Sequence, residues 1–228
     1  MAQTNKVTVR GNLTKDPEFK TLDNGKTSCS FSIAVNNNYE KDGQKISEPS
    51  YFTVKTYGEA ADKMKEAKKG QEYSASGMVK QRTFEKDGKN NTVIEILAFD
   101  VNAVEKGQQK SGQSAHIDFA GNLAADPVFE TFNSGKTKCS FTLINNNEYE
   151  KNGEKIKDNT AMTVELWGDA ALSMKEAKKG NAFKIDGFLK QNRWDKDGVK
   201  HSTIKIQGNK IEPIVKKERK IPEPEIGM

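Results

Sequence analysis

The chain has 228 residues, 30% of them charged and 34% hydrophobic, with a formal net charge of +5. That length accommodates one large domain or two of ordinary size, with modest cores and a wet surface. The mild positive balance permits an acidic partner, but it is too small for a protein that grips duplex through phosphates alone.

Two cysteines, Cys29 and Cys139, and two histidines, His116 and His201, show no metal-ligand spacing, so no metal site and no cofactor are expected. No apolar run approaches the ~18 residues of a membrane span. Residues Met1-Ala2-Gln3-Thr4-Asn5-Lys6 lack the apolar core of a signal peptide. The expectation is a cytoplasmic, reduced protein.

In chain order, Val7 and Val9 alternate with polar residues in a first strand that ends at Gly11-Asn12-Leu13. Asp23-Asn24-Gly25-Lys26 is turn chemistry. Cys29, Phe31, Ile33 and Val35 then alternate with small residues, which predicts a second strand with one buried face. A polar loop is expected through Asp42-Gly43 to Pro49, followed by a third strand from Tyr51 to Tyr57. Glu59 to Lys69 predicts a short helix with Ala60, Ala61, Met64 and Ala67 as its apolar stripe and Gly70 as its cap. A fourth strand is predicted from about Tyr73 to Phe84, a hairpin at Asp87-Gly88, and a fifth strand from near Thr92. The fifth strand's apolar phase shifts between Ile94/Ile96 and Leu97/Phe99/Val101, which predicts a bulge.

The whole pattern then repeats. Gly11-Asn12-Leu13 recurs as Gly121-Asn122-Leu123, an offset of 110 residues, and the same offset carries Asp16-Pro17 onto Asp126-Pro127. It also carries Cys29-Ser30-Phe31 onto Cys139-Ser140-Phe141 and Met64 to Gly70 onto Met174 to Gly180, without a gap. A period this long means two domains rather than a solenoid. The expected division is an N-terminal domain at 1–106, a linker at 107–115, a C-terminal domain at 116–212 and a short tail at 213–228. Three strands, a helix and two strands is the order of the OB-fold, a five-stranded, partly open barrel that binds oligonucleotides on its strand faces and loops. The predicted fold is therefore mainly β, two OB-folds in tandem.

Alternation along the third strand places Phe52, Val54 and Thr56 inward, and Tyr51, Thr53, Lys55 and Tyr57 outward. Exposed rings flanking a cation suit single-stranded nucleic acid, whose bases stack on the rings while the ammonium meets phosphate. Phe84 with Arg82 and Lys86, and Tyr39 with Lys41 and Lys45, continue the interleaving. Cys29 and Cys139 fall on the inward parity and read as buried structural thiols.

These residues resemble the bacterial and phage single-stranded DNA-binding proteins. The likeness rests on Gly11-Asn12-Leu13-x-x-Asp16-Pro17, Phe31-Ser32-Ile33-Ala34 and Tyr57-Gly58-Glu59-Ala60-Ala61, and covers each unit nearly end to end. It implies four stacking aromatics per OB-fold. Tyr39, Tyr51, Tyr57 and Phe84 stand at those places, and Tyr149, Trp167 and Trp194 in the second unit, where Ala161 replaces the fourth ring and Lys196 matches Lys86. It further implies a homodimer holding four OB-folds, and work in DNA replication, recombination and repair. Family members often end in an acidic tip closing in Ile-Pro-Phe that recruits replication and recombination proteins. This chain ends Ile221-Pro222-Glu223-Pro224-Glu225-Ile226-Gly227-Met228, a departure that puts such partners in question.

Two rival readings make different demands. A nuclease or other enzyme needs a carboxylate cluster or an activated nucleophile, and none recurs in both units. An accessory module that has lost DNA binding predicts eroded aromatics, whereas one unit keeps four and the other three. Exchanging Tyr51 for Ala161, Lys55 for Glu165 and Arg82 for Asn192 predicts that the N-terminal unit holds DNA more tightly.

Overall fold

Val7 and Val9 point into the first core and are nearly inaccessible, while Lys6 before them and Thr8 between them face out, so β1 (Asn5–Leu13) obeys its period of two. A computed structural model describes residues 4–41, 43–86, 88–105, 113–151 and 154–215. The expected linker falls largely outside the described residues, as does most of the expected tail.

Five strands close each barrel. In the first unit they are β1, β3 (Thr27–Lys41), β4 (Gln44–Tyr57), β5 (Glu72–Lys86) and β6 (Lys89–Ala103). The ring runs β1–β3–β4–β6–β5 and back to β1, antiparallel except for the short β4–β6 contact at Val54↔Ile96 and Lys55↔Leu97. This is the OB-fold barrel, filled by Phe31, Ile33, Phe52, Val54 and Met64. A sixth, short strand that the pattern did not predict, β2 (Glu18–Thr21), lies outside the ring on β3; all four of its residues are exposed, so it carries no apolar alternation. The second unit repeats the set as β7 (Ser114–Leu123), β8 (Val128–Thr131), β9 (Thr137–Lys151), β10 (Glu154–Trp167), β11 (Ala182–Lys196) and β12 (Val199–Pro213).

Two local expectations change, and the expected bulge is present. The polar loop expected before Pro49 is instead hairpin: β3 and β4 stay paired out to Lys41↔Gln44. Two-stranded ribbon beyond a barrel has no buried face, so its sequence can be wholly polar. The helix is one turn, α1 (Glu59–Asp62), with α2 (Asp169–Leu172) its counterpart. Beyond it Met64 N–H donates to Ala61 O and Ala67 N–H to Met64 O, tight turns that still bury Met64 and Ala67. The bulge falls where the phase broke: Ser76 faces Asp100 and Gly77 faces Ala98, leaving Phe99 unpaired and 61% exposed. A Cβ on Gly77 would collide with the Leu97 carbonyl at this crossing.

The two barrels join through β1 and β7, antiparallel, with Val7 opposite Ile117. Those two residues are equivalent at the 110 offset, so a pseudo-twofold axis passes between them. The twelve-strand order β2-β3-β4-β6-β5-β1-β7-β11-β12-β10-β9-β8 reads the same from either end once each strand is exchanged for its counterpart. Two kinds of contact across the axis come in matched pairs. Tyr51 N–H donates to Gln191 Oε1 at 3.1 Å, and Ala161 N–H to Gln81 Oε1 at 2.9 Å. Lys190 pairs with Glu48 at 3.4 Å, and Lys80 with Asp158. Burial depresses the Lys80 pKa, which its pairing opposes.

Candidate nucleic-acid interface

The repeated Gly-Asn-Leu-x-x-Asp-Pro stretch holds the barrel closed. Gly11 lies where β1 crosses β3, and a Cβ there would strike the Ala34 carbonyl. Asn12 Nδ2 donates to Gly70 O at 2.9 Å, and Asp16 Oδ1 accepts from Lys69 N–H at 2.7 Å. Asn122 and Asp126 make the same bonds to Gly180 O and Lys179 N–H. These bonds tie β1 and the loop after it to the turn before β5; the candidate face is built from other residues.

That face is the outer side of β4 and β10 with the β5–β6 and β11–β12 ribbons. Phe52, Val54 and Thr56 are fully buried, and Tyr51 and Tyr57 stand 40% and 44% exposed on the opposite side. Trp167 and Trp194 are comparably open, at 41% and 47%. Phe84 is half-buried beneath the Arg82 guanidinium, 4.9 Å from its ring centre. Tyr39 and Tyr149 lie near the ends of the β3–β4 and β9–β10 ribbons, opposite Ile46 and Ile156. Their side chains, and those of Lys86 and Lys196, lie outside the described residues.

The cations are less free than their spacing suggested. Lys55 Nζ sits 2.9 Å from Glu95, which Arg82 also holds at 3.2 Å. In the second unit Glu165 pairs with Lys205 at 2.7 Å, so Glu165 does not face phosphate as the uncompensated charge that the substitution of Lys55 implied.

Several neighbours of these rings were not expected from the sequence pattern, in which His201 reads as surface filler that could touch DNA. Phe132, in the turn after β8, stacks on Trp167 at 5.4 Å and 26°, with Lys138 Nζ 5.5 and 5.9 Å from the two ring centres. A hydrogen bond from Lys138 to Glu130 raises the lysine's pKa and keeps it charged. His201 stacks on Trp194 at 5.5 Å and 15°. Arg193 lies over Tyr51 of the other unit, 4.7 Å from its centre. These pairings join residues far apart in sequence, and only Trp194–His201, facing each other across β11–β12, lay within reach of a hairpin argument.

Among the described residues, His116, Asp118 and Asp186 are brought together on the sheet between β7 and β11, a grouping that residue spacing could not show. Its members are already paired, His116 with Asp186 at 2.6 Å and Asp118 with Lys184 at 3.3 Å. Both thiols are fully buried, which pushes each pKa up to about 11 and leaves them inert. No described helix is long and apolar enough to cross a membrane.

Exposed rings on the outside of two barrels, with cations beside them, suit a flat-based, anionic polymer. Comparison with known proteins agrees in kind. The model of the single-strand binding protein family matches residues 4–104 and again 116–214. A single-stranded DNA-binding protein of Deinococcus radiodurans is 26% identical over 228 residues, covering 93% of this chain and 76% of that protein. Single-stranded DNA-binding protein 2 of Clostridium acetobutylicum is 33% identical over 125 residues, 54% of this chain and 91% of its own. The crystal structure of the wild-type single-stranded DNA binding protein from Thermus aquaticus superposes with a TM-score of 0.74 over 97% of this chain and 98% of that one, at 20% identity, a likeness of fold.

Proposed function

Because the chain belongs to the single-strand binding protein family, its two OB-folds in tandem, we propose that it binds single-stranded DNA with little sequence preference and protects it during replication, recombination and repair. The observation that carries this is the set of open rings, Tyr51, Tyr57, Trp167 and Trp194, on the outer faces of two barrels. Bases stack on such rings whatever their sequence, and duplex keeps its bases away from them. Arg82, Lys55, Phe84, Lys86 and Lys196, with Tyr39 and Tyr149 on the ribbons, complete the proposed site. The role is binding rather than catalysis.

Anisotropy titration tests it: mixed-sequence single strand binds about two decades more tightly than the matching duplex, about 3 kcal/mol. Equal affinities overturn the reading.

The free protein is a homodimer with four OB-folds. Closed symmetric pairs are the usual outcome for such chains, and the exposed Phe99 and Phe188 supply apolar surface. Light scattering at micromolar concentration returns twice the chain mass; a monomer mass contradicts it. Single strand and a second copy are the partners proposed, in the cytoplasm at replication forks or the nucleoid.

A further inference from the structure

The two units approach each other twice around the pseudo-twofold axis, and the backbone is the same at both places. At one, Gln191 Oε1 accepts from Tyr51 N–H; at the other, Gln81 Oε1 accepts from Ala161 N–H. Lysine–carboxylate pairs flank both, Lys190 with Glu48 and Lys80 with Asp158. What differs is the chemistry displayed on this shared frame.

At the first place the Tyr51 ring is exposed, and Arg193, reaching over from the second unit, lies on it. Arg193 Nη2 donates to Pro49 O at 2.7 Å and to Gln191 Oε1 at 2.8 Å, so the guanidinium is held in place yet open to solvent. Beside them lies a cleft of about 200 Å³ whose lining includes Tyr51, Thr53, Ile94, Gln191, Ser202 and Thr203. An aromatic ring, polar side chains and a planar cation together suit a base and its phosphate. At the second place, the counterparts of Tyr51 and Arg193 are Ala161 and Thr83, so ring and cation are both missing.

We propose that a single DNA strand passes from one OB-fold to the other over Tyr51 and Arg193, and that the equivalent crossing at Ala161 and Thr83 is not used. Resting on the reading of the chain as a single-strand binder, this makes the Tyr51 platform a composite of both units and gives a nearly symmetric protein one route for its ligand. Arg193 contacts a phosphate of the crossing strand, while the base beside it stacks on Tyr51.

The test uses the full chain with oligo-dT of two lengths, one of about 8 nucleotides that one OB-fold accommodates and one of about 30 that must cross. Arg193→Thr copies the other crossing. It is expected to weaken the long oligonucleotide about tenfold, with little change for the short one. The slope of log K against log salt should flatten by about 0.7, the share of one phosphate on single strand. Loss of the bonds to Pro49 O and Gln191 Oε1 should lower the thermal midpoint of Arg193→Thr by a few degrees at most, and the salt slope is the readout that a purely architectural arginine would leave alone. Thr83→Ala, at the unused crossing, is expected to change neither affinity. Wild-type affinity and salt slope in Arg193→Thr overturn the proposal while the parent reading survives. An unaltered chain that binds neither oligonucleotide overturns both.

Discussion

Lys55 and Glu95 hold each other at 2.9 Å on the outer face of the first barrel, and 110 residues on the same pair stands with its charges exchanged, Glu165 with Lys205 at 2.7 Å. Comparing Lys55 with Glu165 alone suggests a strong electrostatic difference between the units; comparing the pairs removes most of it. What remains is Arg82, a second cation on Glu95, replaced by Asn192 in the second unit.

The exchange predicts rescue. Lys55→Glu places two carboxylates together and lowers stability by about 1 kcal/mol, the order of a partly exposed pair. Adding Glu95→Lys and Arg82→Asn, which copies the second unit, restores the thermal midpoint. A combined variant less stable than Lys55→Glu itself contradicts the pairing.

Asn12→Ala and Asp16→Ala each remove a bond that ties the end of β1 to the turns before β5, to Gly70 O and Lys69 N–H. Each is expected to cost about 1 kcal/mol in denaturant unfolding. Gly11→Ala, which forces a side chain against Ala34 O, costs about 1–3 kcal/mol. Affinity of the folded protein for oligo-dT stays unchanged in Asn12→Ala and Asp16→Ala. A selective loss of binding at full stability would place the motif in the interface instead.

Strand parity and the repeat were legible in the sequence because both are local or exact: Phe52, Val54 and Thr56 inward, Tyr51 and Tyr57 outward, and each motif at one offset. The polar ribbon from Asn36 to Pro49 was not, since its sequence carries no run of alternating apolar residues. Nor were Arg193 on Tyr51, Phe132 under Trp167 or Lys205 beside Glu165, because tertiary pairing sets their roles. Lone residues suggested where cations should act; only the partners show which cations are already engaged.

Thr56 is fully buried, and its hydroxyl has no hydrogen-bond partner among the described residues, whereas its counterpart is Leu166. Thr56→Val keeps the shape and removes the unsatisfied group. It is expected to stabilise the chain by about 1 kcal/mol, raising the midpoint by about 2–4 °C. A lowered midpoint would show that the hydroxyl is satisfied.

The thiols of Cys29 and Cys139 make stability fall at high pH. Burial holds each folded pKa at about 11, above the unfolded value near 9. Below pH 9 both states keep the proton and nothing is lost. From pH 9 to 11 the unfolded chain releases protons that the folded one retains, so stability declines. In Cys29→Ala/Cys139→Ala the drop in midpoint between pH 8.5 and 10.5 is smaller than in the unaltered protein. An equal drop assigns the decline to other groups.

The two units are expected to lead at different places rather than one binding more tightly throughout. Counting rings favours the first unit, because Tyr51 has no counterpart ring. At the end of β4 and β10 the order reverses. Trp167 offers a larger ring than Tyr57, and Phe132 stacks beneath it with Lys138 alongside; the corresponding residues in the first unit are Leu22 and Ser28, which supply neither ring nor charge. A ring held in place loses less freedom when a base stacks on it, and the nearby ammonium meets the phosphate. Within the ~1–3 kcal/mol of one stacking platform, Trp167→Ala should fall in the upper half and Tyr57→Ala in the lower. The measurement is oligo-dT titration of both full-length variants at one salt concentration by anisotropy, with Trp194 fluorescence as a second reporter in Trp167→Ala. If Tyr57→Ala costs more affinity than Trp167→Ala, the Phe132–Trp167–Lys138 stack is structural and the first unit leads at this position as well.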